Sequence, residues 1–171
     1  MERRICKKVK VGNLYIGGDS KISVQSMLNR NPEDIEGNIC QAKELEAAGC
    51  DIIRIAIPNM ASVRLINALK ENIHVPVVAD IHFNFKLAIE SVIAGADKVR
   101  INPGNIGSQD KIKAVSQICS QKDVPIRIGV NSGSLEKNIL SKYGAPTAEA
   151  LCESAIYNIS LLEKFDFDKI I

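Results

Sequence analysis

Three arginines, Arg54, Arg100 and Arg127, fall within stretches that read as β-strands, on the strand face that also carries other polar groups. A guanidinium stays charged at any physiological pH and costs several kcal/mol to bury without a partner, so arginines that converge on one cavity require anions. An internal ion-pair network with Asp51, Asp80 or Asp97 is one solution, but Asp80 by itself is expected to balance only one of them. A strongly anionic ligand is the better account of three. The planar guanidinium fork grips a phosphate or diphosphate through paired hydrogen bonds.

The surrounding residues fit that chemistry. Asp80-Ile81-His82 puts an acid and an imidazole on one side of a strand, a pair able to orient a hydroxyl or move a proton, although His82 reads equally well as a satisfied core histidine. Pro103-Gly104-Asn105-Ile106-Gly107 is a glycine-rich turn ahead of a helix, where backbone N–H groups of Gly104 and Asn105 can meet a phosphate. Asn131-Ser132-Gly133-Ser134 is a second such turn at the end of the next strand. His74 and Lys98 fall near the opposite strand ends and are read as structural.

Positioning these groups takes a repeated unit. Ala48-Gly49-Cys50-Asp51-Ile52-Ile53-Arg54-Ile55 returns as Ala94-Gly95-Ala96-Asp97-Lys98-Val99-Arg100-Ile101, and Val75-Pro76 returns as Val124-Pro125, each pair opening a strand. An N-terminal hairpin over 8–16, reaching Gly17-Gly18-Asp19, is expected to plug one end of the fold. Strands are then expected over 22–27, 51–57, 75–82, 98–102 and 126–131, with a sixth starting at Asp168. Helices alternate with them: one capped near Asn31-Pro32 and ended by Gly49, then 62–71, 85–94, one from Ser108 to before Asp123, and one capped by Thr147 after a long loop.

Alternating strands and helices imply a parallel sheet with right-handed crossovers. An open sheet covered on both faces has strands that are apolar throughout. Here one face is apolar (Ile53, Ile55, Ile57; Val77, Ala79, Ile81; Val99, Ile101; Ile126, Ile128, Val130), while the other gathers Ser23, Gln25, Arg54, Asp80, His82, Lys98, Arg100, Asn102, Arg127 and Asn131. That pattern describes a TIM (β/α)8-type barrel, which typically needs about 250 residues. The 171 residues supply its first five to six units, an incomplete α/β barrel occupying residues 1–171.

Composition excludes several classes. With 46% hydrophobic and 25% charged residues the chain can bury a core, and a net charge of +2 without basic runs beyond Arg3-Arg4 and Lys7-Lys8 argues against nucleic acid or membrane surfaces. Those four are expected on a solvated face. No apolar stretch reaches the roughly 20 residues of a membrane helix and no secretion signal is evident, so the cytoplasm is the expected location. The five cysteines, Cys6, Cys40, Cys50, Cys119 and Cys152, form no C-x-x-C pair and are expected to be reduced structural thiols, several on apolar helix faces, with no metal site.

Five blocks, Ser23-Val24-Gln25-Ser26-Met27, Ala79-Asp80-Ile81-His82-Phe83, 99–107, 127–135 and Lys142-Tyr143-Gly144-Ala145-Pro146-Thr147, together closely resemble the 4-hydroxy-3-methylbut-2-enyl diphosphate synthase family, in the family's order and across essentially the whole chain. The resemblance implies reductive ring opening of 2-C-methyl-D-erythritol 2,4-cyclodiphosphate in isoprenoid biosynthesis, with two electrons from ferredoxin or flavodoxin through a 4Fe-4S cluster. It implies that Arg54, Arg100 and Arg127 hold the diphosphate, that Asn102 and Asn131 add hydrogen bonds, and that Asp80, His82, Gln25 and Ser26 line the pocket. Ser26 falls on the outward strand parity. The family's active-site lysine and its cluster-binding cysteines and glutamate belong to parts not found here, so no catalytic or metal-binding residue is assigned to this chain, which is expected to lack turnover alone. A homodimer is expected of the full-length protein. The sequence departs from the family at Leu28-Asn29-Arg30 and at Asn84-Phe85. The competing readings are a pterin-binding barrel resembling dihydropteroate synthase and a non-catalytic phosphate-binding module.

Overall fold

The computed structural model describes residues 5–171, with residues 103 and 104 described by their backbone alone. Arg3 and Arg4 lie outside the described residues. Strands β1 (Val9–Val11) and β2 (Leu14–Ile16) pair antiparallel as the expected hairpin, turning at Gly12, whose φ of +57° is the left-handed conformation that glycine takes without steric cost. The hairpin does close the N-terminal end of the sheet. An added Cβ on Gly12 would lie 2.9 Å from Pro76 Cγ, and Asn13 Nδ2 donates to the His74 carbonyl at 3.4 Å.

The units follow as β3 (Gln25–Met27), α1 (Ile35–Ala47), β4 (Ile52–Ala56), α2 (Arg64–Asn72), β5 (Val77–Ile81), α3 (Phe85–Ile93), β6 (Lys98–Ile101), α4 (Pro103–Ile106), α5 (Gln109–Gln121), β7 (Ile126–Ile128), α6 (Lys137–Tyr143) and α7 (Ala148–Glu163). Strands β3 to β7 pair in sequence order, all parallel, as the wall of a barrel does. The sixth strand begins as a parallel bridge from Ile170 to Ile126, extended by Ile128 N–H donating to the Ile171 carbonyl at 2.9 Å.

Alternation works as expected on the outer face. Ile53, Ile55, Ile57, Val77, Ala79, Ile81, Val99, Ile101 and Ile126 are all buried beneath Leu65, Ile66, Leu69, Leu87, Ala88, Val92, Ile112, Val115, Leu161 and Leu162 of the helices. Burying a side chain of this size contributes about 1.5–3 kcal/mol relative to exposure. This apolar layer is what holds the polar strand face rigid. Phe85 packs against the same core, and Asn84 caps α3 by accepting from Lys86 N–H.

Several local expectations need correction. The first strand is shorter than 22–27, leaving Ile22 and Val24 exposed, although the Val24 carbonyl still accepts from Asp51 and Ile52. Helix α1 is capped by Asp34 rather than Asn31; Asn31 instead turns the preceding loop by accepting from Glu33 N–H, since a short carboxylate three residues before Gly37 reaches its N–H directly. The long loop between Gly133 and Pro146 contains helix α6, ended by Gly144 in the left-handed conformation. Cys50 and Cys119 are buried, and burial pushes the Cys119 thiol up to about 12, whereas Cys6, Cys40 and Cys152 are exposed rather than on buried helix faces.

Candidate anion site

On the inward strand face, Asp80 of β5 organises the arginines of its two neighbours. It is 1% exposed and takes Arg54 of β4 on Oδ2, 2.6 Å from Nη2 and 3.2 Å from Nε, while Oδ1 accepts from Arg100 Nη1 of β6 at 3.2 Å. Strand register explains the sharing, since Ala56 and Arg100 both pair with Asp80, which leaves the two guanidiniums reaching across from opposite sides. The expectation that Asp80 balances only one arginine is therefore wrong. Of the other two candidate partners, Asp51 accepts from Val24 N–H and Asp97 binds Lys70 and Val77 N–H, both away from the arginines.

Arg127 of β7 pairs in register with Arg100 and has no hydrogen bond or ion pair among the described residues. The inward face of β4 to β7 thus carries four cations, Arg54, Lys98, Arg100 and Arg127, against one carboxylate. The arrangement is an electropositive wall prepared for an anion.

Lys98 lies on the inward face at the start of β6, as the alternation leads one to expect. It faces the same interior two residues before Arg100, is 2% exposed, and has no hydrogen bond or ion pair among the described residues. Burial first, then the charges of Arg127 and Arg54, lower its pKa from 10.5 to about 8. Below pH 8 both folded and unfolded chains hold this proton, and the fold bears the full cost of burying the ammonium. Between pH 8 and 10.5 the unfolded chain binds more protons, so this group's contribution to stability rises with pH. Lys98→Met is expected to raise stability at pH 7 by roughly 2–3 kcal/mol and to flatten the increase above pH 8, as urea unfolding at pH 7 and 9.5 would register.

The remaining candidates sort by height in the wall. Asn102, buried just beyond β6, donates through Nδ2 to Ser134 Oγ, which in turn donates to the Asn131 carbonyl at 3.3 Å, joining the two strand-end asparagines. In the amide orientation that satisfies both neighbours, Asn131 Oδ1 accepts from Arg100 Nη2 at 3.2 Å. Ser134 was not singled out from sequence; its place one turn beyond Asn131 was the available signal. His82 lies just after β5, 49% exposed, with Nε2 3.6 Å from Asp80 Oδ2, too long for a hydrogen bond. It is therefore no core histidine. His74, by contrast, is exposed at the far end beside Glu46, as expected.

Gln25 shares the inward parity on β3, and Ser26 faces outward opposite Ile53 in register. Asn105 is half-buried in α4, and Ser132 is exposed in a short 3-10 turn. The turn containing Gly104 is one helical turn, in which Asn105 and Ile106 N–H groups already donate to the Asn102 carbonyl, so those amides are not free for a phosphate. In the divergent loop, Leu28 is buried, Asn29 exchanges hydrogen bonds with Gln41, and Arg30 approaches Asp34 at 3.9 Å.

Among the described residues no group of three or more His, Cys, Asp or Glu is placed to hold a metal ion, so an iron-sulfur cluster does not fit the residues present. No helix among them is long and apolar enough to cross a membrane.

Comparison with known proteins fits this geometry. The model of the GcpE TIM-barrel domain matches residues 6–171. A 4-hydroxy-3-methylbut-2-en-1-yl diphosphate synthase (flavodoxin) of Caldicellulosiruptor saccharolyticus is 53% identical over 165 residues, covering 96% of this chain and 48% of the relative. The protein of the same name from Clostridium perfringens is 50% identical over 171 residues, covering 100% and 49%. The chain thus spans about half the length of the relatives it matches. Among solved structures, dihydropteroate synthases from Yersinia pestis (TM-score 0.66, 14% identity, 95% of this chain and 59% of that one) and Xanthomonas albilineans (0.67, 14%, 95% and 61%) share the fold. At that identity the likeness speaks for the barrel alone.

Proposed function

Because this chain belongs to the GcpE TIM-barrel family, we propose that it is the diphosphate-binding barrel portion of a 4-hydroxy-3-methylbut-2-en-1-yl diphosphate synthase. The observation that carries the reading is the inward wall of four cations around a single, already shared carboxylate. The ligand that suits it is 2-C-methyl-D-erythritol 2,4-cyclodiphosphate. Arg127, with its whole fork available, Arg54 Nη1 and the second N–H of Arg100 Nη1 grip the diphosphate oxygens. Asn102 and Asn131 fix its edge, Gln25 and His82 border the sugar-derived carbons, and Gly104, Asn105 and Ser132 lie around the rim, while Ser26, on the outward face, takes no part.

Asp80 does not compete for the ligand. It holds two guanidiniums at fixed positions, so the anion meets donors whose entropy of ordering is already lost. The chain's share of the reaction is to bind and orient the substrate. A 4Fe-4S cluster, held by residues outside 1–171, would supply two electrons taken from flavodoxin, the donor in the relatives' names, or from ferredoxin. Residues 1–171 form the N-terminal part of a barrel domain, the complete enzyme is a homodimer, and its reaction belongs in the cytoplasm with soluble electron carriers.

Reduced flavodoxin and the cyclodiphosphate are expected to yield no product with residues 1–171 alone, and to yield product once the cluster-bearing half of a relative such as the Clostridium perfringens protein is fused to it. Turnover by the unextended chain would overturn the division of labour.

A further inference from the structure

Gly129 stands on the inward parity of the last full strand, one residue after β7 and two after Arg127. Its φ is not positive, unlike those of Gly12, Gly49 or Gly144, so the backbone there would accept any residue. What excludes a side chain is Arg100. A Cβ added to Gly129 would lie 2.1 Å from Arg100 Nε, 2.6 Å from Cζ and 2.5 Å from Nη2, distances that no real contact reaches. The Nε/Nη2 edge of the guanidinium fills the place a β-carbon would take, and Nη2 donates to the Gly129 carbonyl at 3.4 Å. By comparison, nothing approaches within 4 Å of a Cβ at Gly133 or Gly144.

The end of an arginine side chain usually swings aside at little cost. This one is held by Asp80 Oδ1, by the Gly129 carbonyl and by Asn131 Oδ1, with its side chain 9% exposed. Any β-carbon at 129 must lift it off those partners. Building on the diphosphate reading, we propose that Gly129 is a positioning residue for the anion site: its missing side chain is the slot that seats the Arg100 guanidinium between Asp80 and Asn131, at the height where it meets a diphosphate.

A double-mutant cycle of Gly129→Ala and Arg100→Ala tests this, with inorganic pyrophosphate as the calorimetric probe and thermal unfolding as a ligand-free readout. Gly129→Ala is expected to weaken pyrophosphate binding about tenfold in the native chain and less than about twofold when Arg100 is already alanine. Without ligand it should lower the melting temperature by about 3 °C in the native chain and leave the Arg100→Ala protein unchanged. Equal thermal losses in both backgrounds would overturn the assignment. Should the native chain bind no pyrophosphate, the diphosphate reading fails while the thermal cycle still decides the role of Gly129. If Gly129→Ala alone does not fold, folding of the double variant supports the slot and its failure overturns it.

Discussion

Asp80→Ala is expected to destabilise the chain by about 3–5 kcal/mol, because it removes one partner of a buried ion-paired cluster and leaves the others uncompensated. The carboxylate is 1% exposed and is shared by Arg54 and Arg100, with Lys98 and Arg127 on the same wall. Its loss leaves four cations facing one another with no anion between them. Asp80→Asn keeps the shape and one acceptor, so it should fall between the two. Pyrophosphate supplies the missing negative charge, and it should raise the melting temperature of Asp80→Ala more than that of the native chain, by the mass-action stabilisation that any native-state ligand gives. Circular dichroism checks both statements, by urea unfolding for the first and thermal melting with and without pyrophosphate for the second. An Asp80→Ala protein that unfolds at the native urea concentration would show that the cluster contributes nothing to the fold.

Arg100→Ala should have the largest effect on ligand binding, raising the dissociation constant for the cyclodiphosphate about a hundredfold. A charge-assisted hydrogen bond from a fixed guanidinium, worth up to roughly 3 kcal/mol, accounts for that size. Arg100 is the choice because Asp80, Asn131 and the Gly129 carbonyl all aim it, so its donors are the most rigid of the three arginines. Stability should suffer less than in Asp80→Ala, since Asp80 keeps Arg54. Gln117→Ala, at an exposed position of α5 remote from the cluster, serves as the control and should change affinity by less than about twofold. Calorimetric titration of the three proteins side by side reads the difference. Equal affinities for native and Arg100→Ala chains would remove Arg100 from the site.

Much of this site was legible because strand alternation has a period of two and tolerates no slip. Once Ile53 and Ile55, or Val99 and Ile101, are assigned to the helix-covered face, Arg54 and Arg100 can only point inward. The same logic places Lys98 inward, but it does not tell how deeply the residue at the start of β6 is buried. Whether a strand's first residue is buried depends on the hairpin and neighbouring strands that close the end, which no local pattern reports. Gly129 was invisible for a related reason. A glycine in a strand reads as a bulge or a weak point, and only the approach of Arg100, 29 positions earlier, reveals that space is what the position requires.

The turn chemistry was less legible. Glycine and proline in 133–146 and 103–107 read as loops, but Ile139 is buried and Leu140 N–H donates to the Glu136 carbonyl, so α6 forms between them. At 103–106 the amides close on the Asn102 carbonyl and form a helical turn instead of an open anion cradle. Local sequence could not choose between those outcomes, because both satisfy the same N–H groups. The ends of the barrel wall are therefore where the residue-level reading was weakest, and the wall itself where it was strongest.

The most direct test of the central claim, that this wall is a diphosphate site, is calorimetric titration of residues 1–171 with 2-C-methyl-D-erythritol 2,4-cyclodiphosphate. The account predicts saturable binding of one ligand per chain, displaced by pyrophosphate and weakened by added salt. A chain shown by circular dichroism and cooperative melting to be folded, yet giving no heat of binding, would contradict it.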